Sequence, residues 1–403
     1  MKILLVNKFH YVKGGSETYY FGLGELLKQN GCEVIYFSMQ DDKNRGCDYE
    51  KYFVKNVDFN KKSNIFQITS MSLKMLYSFE ARKKFEQLIK VEMPDVIHLN
   101  IFQSQLTGSI VDVARKYNIP IVYTMHDLKS ICPNYQMLNH GIVCEKCLRG
   151  KYNTCFKEGC MKDSKLKSLL ATMEAYVYKW NKTYQKIDLF ITPSEFFMEK
   201  LKQSNITDQR IIHMTNFLPK GTEYVSNNKR GEYFLYFGRL SKEKGLFTLI
   251  RAYQEAKVET PLYIVGTGPL EHEVQEMIET YQLTERVSML GFKSGKDLKE
   301  IIENAKCICL LSEWYENGPY SIMEAQAAGR PVIVSGYGGL PELVEDSVTG
   351  YIIPAGDIMK TADTLQKCDR KDDWNYELIQ DRAREKYSPD KYIERLMVEY
   401  EKL

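Results

Sequence analysis

Short apolar runs bounded by polar turns recur along the chain, and several are followed by stretches with helical spacing. Lys2-Ile-Leu-Leu-Val6 is the first run, and a polar loop with Gly14 and Gly15 follows it. Tyr20, Leu23, Leu26 and Leu27 then share one helical face, and Gly31 ends that helix. Glu33–Phe37 restarts as a strand, which completes the strand–helix–strand unit of a parallel sheet. Val96–Leu99, Ile121–Thr124, 188–192 and 211–214 read as further strands of this half. Residues 216–228 are polar, hold Pro219 and Gly221, and read as a linker. Beyond it the pattern begins again. Strands are expected at Tyr233–Phe237, Leu262–Val265, 287–290, 307–310 and 331–334, with helices at 246–254 and 271–281.

The expected fold class is α/β, in two successive units with a cleft between them and ligands held by loops at the strands' carboxyl ends. At roughly 100–200 residues per domain, 403 residues suit such a plan. The boundaries read as 1–217, 218–388 and a short tail at 389–403, where Tyr392, Leu396 and Tyr400 keep helical spacing. No apolar stretch approaches the roughly 18 residues of a membrane span. Asn7 and Lys8 interrupt the place where a signal peptide needs its apolar core, so a cytoplasmic location is expected. Net charge changes the picture more. Residues 1–217 carry 31 Lys and Arg against 22 Asp and Glu, while the remainder has an acidic excess of seven. A basic front half suits an anionic substrate, a phosphorylated lipid carrier or an acidic membrane surface; an uneven but solvated surface is the plainer alternative.

Two segments carry the candidate chemistry. In Glu316-Asn-Gly-Pro-Tyr-Ser-Ile-Met-Glu324, two carboxylates flank a Gly-Pro turn between a buried strand and a helix at about 323–328. Carboxylates accept hydrogen bonds from sugar hydroxyls, so the pair suits a ligand with a sugar at each end of a diphosphate. Alternatively, Glu324 merely favours a helix N-terminus. In Gly238-Arg-Leu-Ser-Lys-Glu-Lys-Gly245, Arg239 and Lys244 bracket a turn and could neutralise a diphosphate leaving group. Taken alone this is a common surface pattern. Gly266-Thr-Gly268 lacks the third glycine of a dinucleotide fingerprint and reads as a turn.

Four blocks in combination resemble the retaining, nucleotide-sugar-dependent glycosyltransferases of family 4. They are Gly14-Gly-Ser-Glu17, residues 237–245, the Glu316/Glu324 pair, and Gly338-Gly-Leu-Pro-Glu-Leu-Val-Glu-Asp346 with Thr349-Gly-Tyr-Ile-Ile-Pro354. The resemblance implies the GT-B architecture: two Rossmann-like domains with parallel sheets facing across a cleft, and a tail packed back on the first domain. It implies a donor site in which Gly14 and Gly15 approach the diphosphate, Arg239 and Lys244 bind it, and Glu324 holds the ribose. Glu316, with Asn317, Gly318, Pro319, Tyr320 and Ser321, would hold the transferred sugar. His126, in Tyr123-Thr-Met-His-Asp127, matches the family histidine at the reaction centre; by itself it reads as a hydrogen-bonded turn residue. Gly318-Pro319 departs from the Phe-Gly of many members, a change that bears on sugar preference.

The activity implied is hexosyl transfer with retention, from a UDP or GDP sugar to a glycan or lipid-linked acceptor in cell-surface polysaccharide or glycoconjugate synthesis. The donor phosphate helps deprotonate the acceptor, so the protein supplies orientation and leaving-group stabilisation. The chain has no Asp-x-Asp, and no catalytic metal is expected.

Five of the ten cysteines fall between Cys132 and Cys160. Cys144, Cys147, Cys155 and Cys160 have spacing suited to a structural zinc, with Cys132 and His140 as spares; reduced thiols packing an insertion at about 132–160 are the alternative. Residues 161–202 mix lysines with Leu169, Leu170, Met173, Val177 and Trp180. This is an amphipathic helix on the inner face of an acidic membrane, or a packed helix with solvated lysines. Two rival readings are a nucleotide-sugar epimerase or hydrolase on the same plan, and a zinc-stabilised nucleic-acid-binding protein. The second leaves the C-terminal motifs without a purpose, and no nucleic-acid partner is expected.

Overall fold

The computed structural model describes residues 1–56, 72–225, 229, 231–371 and 373–403. The end of the expected linker, 226–228, lies outside the described residues. The chain divides into two units. The first holds Met1–His140, Cys144–Pro219 and Pro389–Leu403; the second holds Lys220–Ser388 with the short piece Gly141–Val143.

Each unit is built on a six-stranded sheet whose registers are all parallel. In the first, the spatial order is Glu33–Phe37, Lys2–Val6, Val96–Leu99, Ile121–Thr124, Leu189–Thr192, Arg210–His213. Ile3, Leu4, Leu5 and Val6 are buried, as are all four residues of Ile121–Thr124. Such continuous burial is why these strands read as uninterrupted apolar runs rather than as alternating ones. The first crossover, Gly15–Gln29, buries Tyr19, Tyr20, Leu23, Leu26 and Leu27 on the sheet. Three of the unit's helices start at serine N-caps: Ser78, Ser164 and Ser194 each accept from a backbone N–H three residues on.

In the second unit the order is Val287–Gly291, Leu262–Val265, Tyr233–Phe237, Ala305–Leu310, Val332–Ser335, Gly350–Ile353. The last strand lies inside the block 349–354, which the pattern reading treated as a motif and not as a strand. Its Gly350 explains the omission: a Cβ there would stand 2.1 Å from the carbonyl oxygen of Val332, so the position needs glycine although glycine weakens a strand signal.

The C-terminal helix, Pro389–Glu401, belongs to the first unit. It buries Tyr392, Ile393, Leu396 and Tyr400, and its hydroxyls tie it down. Tyr392 bonds the Tyr19 hydroxyl at 2.6 Å, and Tyr400 bonds Nδ1 of the buried His98.

The thiol cluster gives the zinc expectation no support. Among the described residues no three His, Cys, Asp or Glu side chains are placed to hold a metal ion. Cys147 and Cys155 instead pack with Tyr152, Met161, Ala175 and Tyr176 as an apolar knot, and Cys160 lies against it. Burial pushes the Cys132 thiol up to about 11 and the Cys147 thiol up to about 12. The spacing of Cys144, Cys147, Cys155 and Cys160 thus finds no support as a metal site among the described residues, where the thiols pack with apolar neighbours.

Candidate functional site

In the second sheet the strand order reverses between Tyr233–Phe237 and Ala305–Leu310. At such a point the loops leaving the two carboxyl ends run apart, and a crevice opens between them. Lys244 is on the loop after the first strand and Glu316 on the loop after the second. They meet: Lys244 Nζ donates to Glu316 Oε1 at 2.6 Å. Ser312 Oγ and Trp314 Nε1 donate to the same oxygen at 2.6 and 2.8 Å. Oε2 takes no hydrogen bond from the described residues. Burial opposes ionisation of Glu316, but the charge and hydrogen bond of Lys244, with Ser312 and Trp314, outweigh it and hold the carboxyl below its usual range. The result is a fixed carboxylate with one oxygen saturated and one open to a ligand.

Arg239 is exposed and enters no ion pair among the described residues. Its loop is laid on the 266–268 turn: Gly238 N donates to Val265 O and Leu240 N to Thr267 O, both at 3.0 Å. A Cβ on Gly266, whose φ is +135°, would stand 1.9 Å from the Gly238 carbonyl oxygen. Those glycines therefore serve close backbone approach. The Gly338-Gly339 turn does the same for Glu316, whose carbonyl accepts from Gly339 N at 2.7 Å.

Glu324 lies on the helix Tyr320–Ala327, which starts directly after Pro319, three residues ahead of the expected start. Pro319 is the N-cap, with extended backbone at ψ 133°, and the helix begins at the next residue. Glu324 is thus its fifth residue, beyond the first turn, and stabilisation of a helix N-terminus does not account for it. The residue keeps some exposed surface, yet its carboxyl lies among protein atoms with no hydrogen bond from the described residues. Burial alone pushes it up to about 7. Asn317, Gly318, Pro319, Tyr320 and Ser321 are half-buried along the approach to that helix, with Gly318 at φ +134°.

The other proposed site residues are in the first unit. Gly14 and Gly15 are exposed at the start of Gly15–Gln29, and the Gly14 N-cap offers no side chain to the free N–H groups. His126 follows the strand Ile121–Thr124. Its Nε2 is 2.8 Å from Asn100 Oδ1, and the Tyr19 ring packs edge-on at 4.9 Å. Asn100 Nδ2 donates to the Val6 carbonyl, so its Oδ1 is the atom turned to His126. An amide oxygen only accepts, and so Nε2 carries the proton and Nδ1 is an acceptor. Burial drives the imidazole down to about 3, which keeps it neutral.

Asn100 was not singled out from the sequence, although it directly follows a strand at the sheet's reversal point, where function is expected. Nor was the buried pair of Lys129 and Glu174, 2.9 Å apart, with Ser104 Oγ on the same carboxylate. No local spacing joins those three residues.

A family model described as Glycosyltransferase Family 4 matches residues 13–218, and one described as Glycosyl transferases group 1 matches residues 223–383. The putative colanic acid biosynthesis glycosyltransferase WcaL of Salmonella typhimurium is 28% identical over 257 residues, 60% of this chain and 61% of that protein. The match thus spans about three fifths of that relative's length. An uncharacterized glycosyltransferase of Methanocaldococcus jannaschii, MJ1607, is 26% identical over 360 residues, 87% of this chain and 84% of its own. Among solved structures, a sucrose-phosphate synthase from Thermosynechococcus elongatus superposes with a TM-score of 0.72 at 18% identity, covering 100% of this chain and 98% of that one. Anabaena Alr3699/HepE in complex with UDP-glucose gives 0.69 at 17% identity, with both chains fully covered. The two parallel-sheet units, the motifs that line them and a family match over half of the sequence lead to one conclusion: the chain belongs to glycosyltransferase family 4 and has the GT-B architecture.

Proposed function

We propose that the protein transfers a hexose from a nucleoside-diphosphate sugar, carried on UDP or GDP, to a glycan or lipid-linked acceptor with retention of anomeric configuration. The observation that carries this reading is the Lys244–Glu316 pair at the reversal point of the second sheet, with Arg239 exposed on the same loop as Lys244. A diphosphate there meets a guanidinium and an ammonium, which stabilise it as it departs. The open Oε2 of Glu316 accepts a hydroxyl of the transferred sugar, and the carboxylate of Glu324 accepts the ribose hydroxyls. His126, neutral and with Nδ1 bare, accepts from a sugar hydroxyl and does not donate to an oxyanion. The names of the relatives in colanic acid biosynthesis support a polysaccharide acceptor. The UDP-glucose of Alr3699/HepE supports a nucleotide-sugar donor.

A thermal-shift screen against UDP, GDP, ADP, CMP and their common sugar conjugates tests the donor site. At a hundredfold excess over Kd, a ligand that binds only the folded protein stabilises it by about 2.7 kcal/mol. A shift confined to one nucleoside diphosphate and its sugars, lost in Arg239→Ala, supports the reading. The absence of any shift in folded protein refutes it. Anomeric configuration follows from proton NMR of the product, and release of free sugar with no acceptor product would instead indicate a hydrolase.

A further inference from the structure

The helix Lys165–Trp180 is built inside out. Its buried residues are Ser168, Ala171, Thr172, Glu174 and Tyr178, of which only Tyr178, packed on Phe102 and Tyr184, is large. Its large apolar residues lie on the opposite side. Leu166, Leu169, Met173 and Trp180 are 55%, 37%, 42% and 73% exposed, and Leu170 and Val177 are half-buried beside them. The spacing of 3, 4, 7, 11 and 14 residues from Leu166 makes one continuous stripe, about 21 Å long at roughly 1.5 Å per residue. Burying such a face would be favourable, and the described residues of this unit do not bury it.

The charges around the stripe say what kind of cover it fits. Lys162 and Lys182 stand beyond its two ends, and Lys165 and Lys167 border its two edges. None of these four, nor Lys179, enters an ion pair among the described residues. The helix carries a single acid, Glu174, which is buried and paired with Lys129. A stripe of leucine, methionine and tryptophan rimmed by lysines outside any ion pair, of which Lys162, Lys167 and Lys182 are exposed, is the composition that lies in the headgroup layer of an anionic bilayer. A second copy of this chain would bring the same lysines against these, a like-charge arrangement that disfavours pairing. Lysine is also depleted at protein interfaces. No helix among the described residues is long and apolar enough to cross a membrane, so the contact would be peripheral.

We infer that the outer face of the helix Lys165–Trp180 is a docking surface for an anionic lipid bilayer, with its apolar stripe in the headgroup layer and its lysine rim on the lipid phosphates. This goes beyond the donor site and does not rest on it. Docking holds the first unit at the surface where an amphiphilic acceptor would reside.

The test is co-sedimentation of the full chain with vesicles of phosphatidylcholine alone and of phosphatidylcholine with phosphatidylglycerol. Wild-type protein is expected to bind the anionic vesicles at least about tenfold more tightly than the neutral ones, with binding that weakens as salt rises. Two variants divide the contributions: Leu169→Ser with Met173→Ser and Trp180→Ser, and Lys162→Glu with Lys167→Glu and Lys182→Glu. Each is expected to lose about tenfold or more of anionic-vesicle binding. All changed positions are exposed, so both variants are expected to keep the wild-type circular dichroism and any nucleotide-induced thermal shift. Binding that is equal on neutral vesicles, unchanged in both variants, or absent altogether would overturn the inference. So would a wild-type dimer in sedimentation that the serine variant turns into a monomer, because the stripe's cover would then be a second chain.

Discussion

Replacing Glu324 by glutamine should make the protein more stable and a worse binder of its donor, and both effects should depend on pH. The Glu324 carboxyl is held at about 7 against an ordinary 4.5, by burial and without a compensating charge. The folded chain therefore keeps a proton that the unfolded chain releases near pH 4.5. The stability this supplies is complete below that pH and is lost as pH rises through about 7. Each pKa unit corresponds to about 1.4 kcal/mol, and partial solvent access reduces the effect, so ionised Glu324 costs about 1–3 kcal/mol at pH 8. Glu324→Gln removes that cost. Its melting temperature should match the wild type at pH 5 and exceed it progressively towards pH 8. Donor binding should move the other way. Only the ionised carboxyl gives charge-assisted hydrogen bonds to ribose, and its ionised fraction falls about tenfold between pH 8 and pH 6. Wild-type affinity for the sugar nucleotide found in the screen should fall by about that factor. The glutamine variant should bind weakly at both pH values and show no slope. Calorimetric titration and thermal melts across pH 5–8 measure both quantities. A variant that melts no higher than the wild type at pH 8, or that keeps the wild-type pH slope in binding, would refute the reasoning.

Three further predictions follow from particular contacts. Lys244→Met leaves the Glu316 carboxylate buried without its countercharge and should cost about 3–5 kcal/mol, measured by denaturant unfolding. Adding Glu316→Gln should recover part of that loss, and strictly additive costs would show that the pair is not coupled. Asn100→Asp places a charge on Nε2 of His126, favours the imidazolium and should raise its pKa by roughly 1–3 units from about 3. The turnover rate of the variant should then fall on the acid side of pH 6, where wild-type His126 stays neutral, and identical pH–rate profiles would count against the tautomer assignment. Gly245→Ala puts a Cβ 1.9 Å from the Leu311 carbonyl oxygen at a φ of +70°. It should destabilise by about 1–3 kcal/mol and weaken donor binding, read by melts with and without nucleotide.

The sheet strands were readable because a parallel sheet buries both faces, and continuous runs such as Lys2–Val6 and Tyr233–Phe237 carry that signature with no partner in view. The strand Gly350–Ile353 escaped because its glycine answers a neighbour's backbone, a demand that local pattern does not record. The Glu316/Glu324 and Arg239/Lys244 blocks were legible as chemistry and as family resemblance. Their pairing was not: Lys244 and Glu316 are 72 residues apart, and the 2.6 Å contact exists only because their strands are neighbours at the sheet's reversal. The cysteine spacing pointed to zinc, but it could not show that Cys147 and Cys155 pack with Tyr152, because that packing depends on the helix Lys165–Trp180 as well.

Sequence alone determined the two α/β units, the strand-end loops that hold the motifs and the residue types available for a diphosphate and two sugars, since these depend on local periodicity and composition. Tertiary structure alone decided which oxygen of Glu316 is open, which nitrogen of His126 carries the proton, how far Glu324 is lifted, and that the apolar side of Lys165–Trp180 points outward. Each of these depends on burial and on partners brought together from distant parts of the chain, and neither quantity is a property of any local stretch of residues.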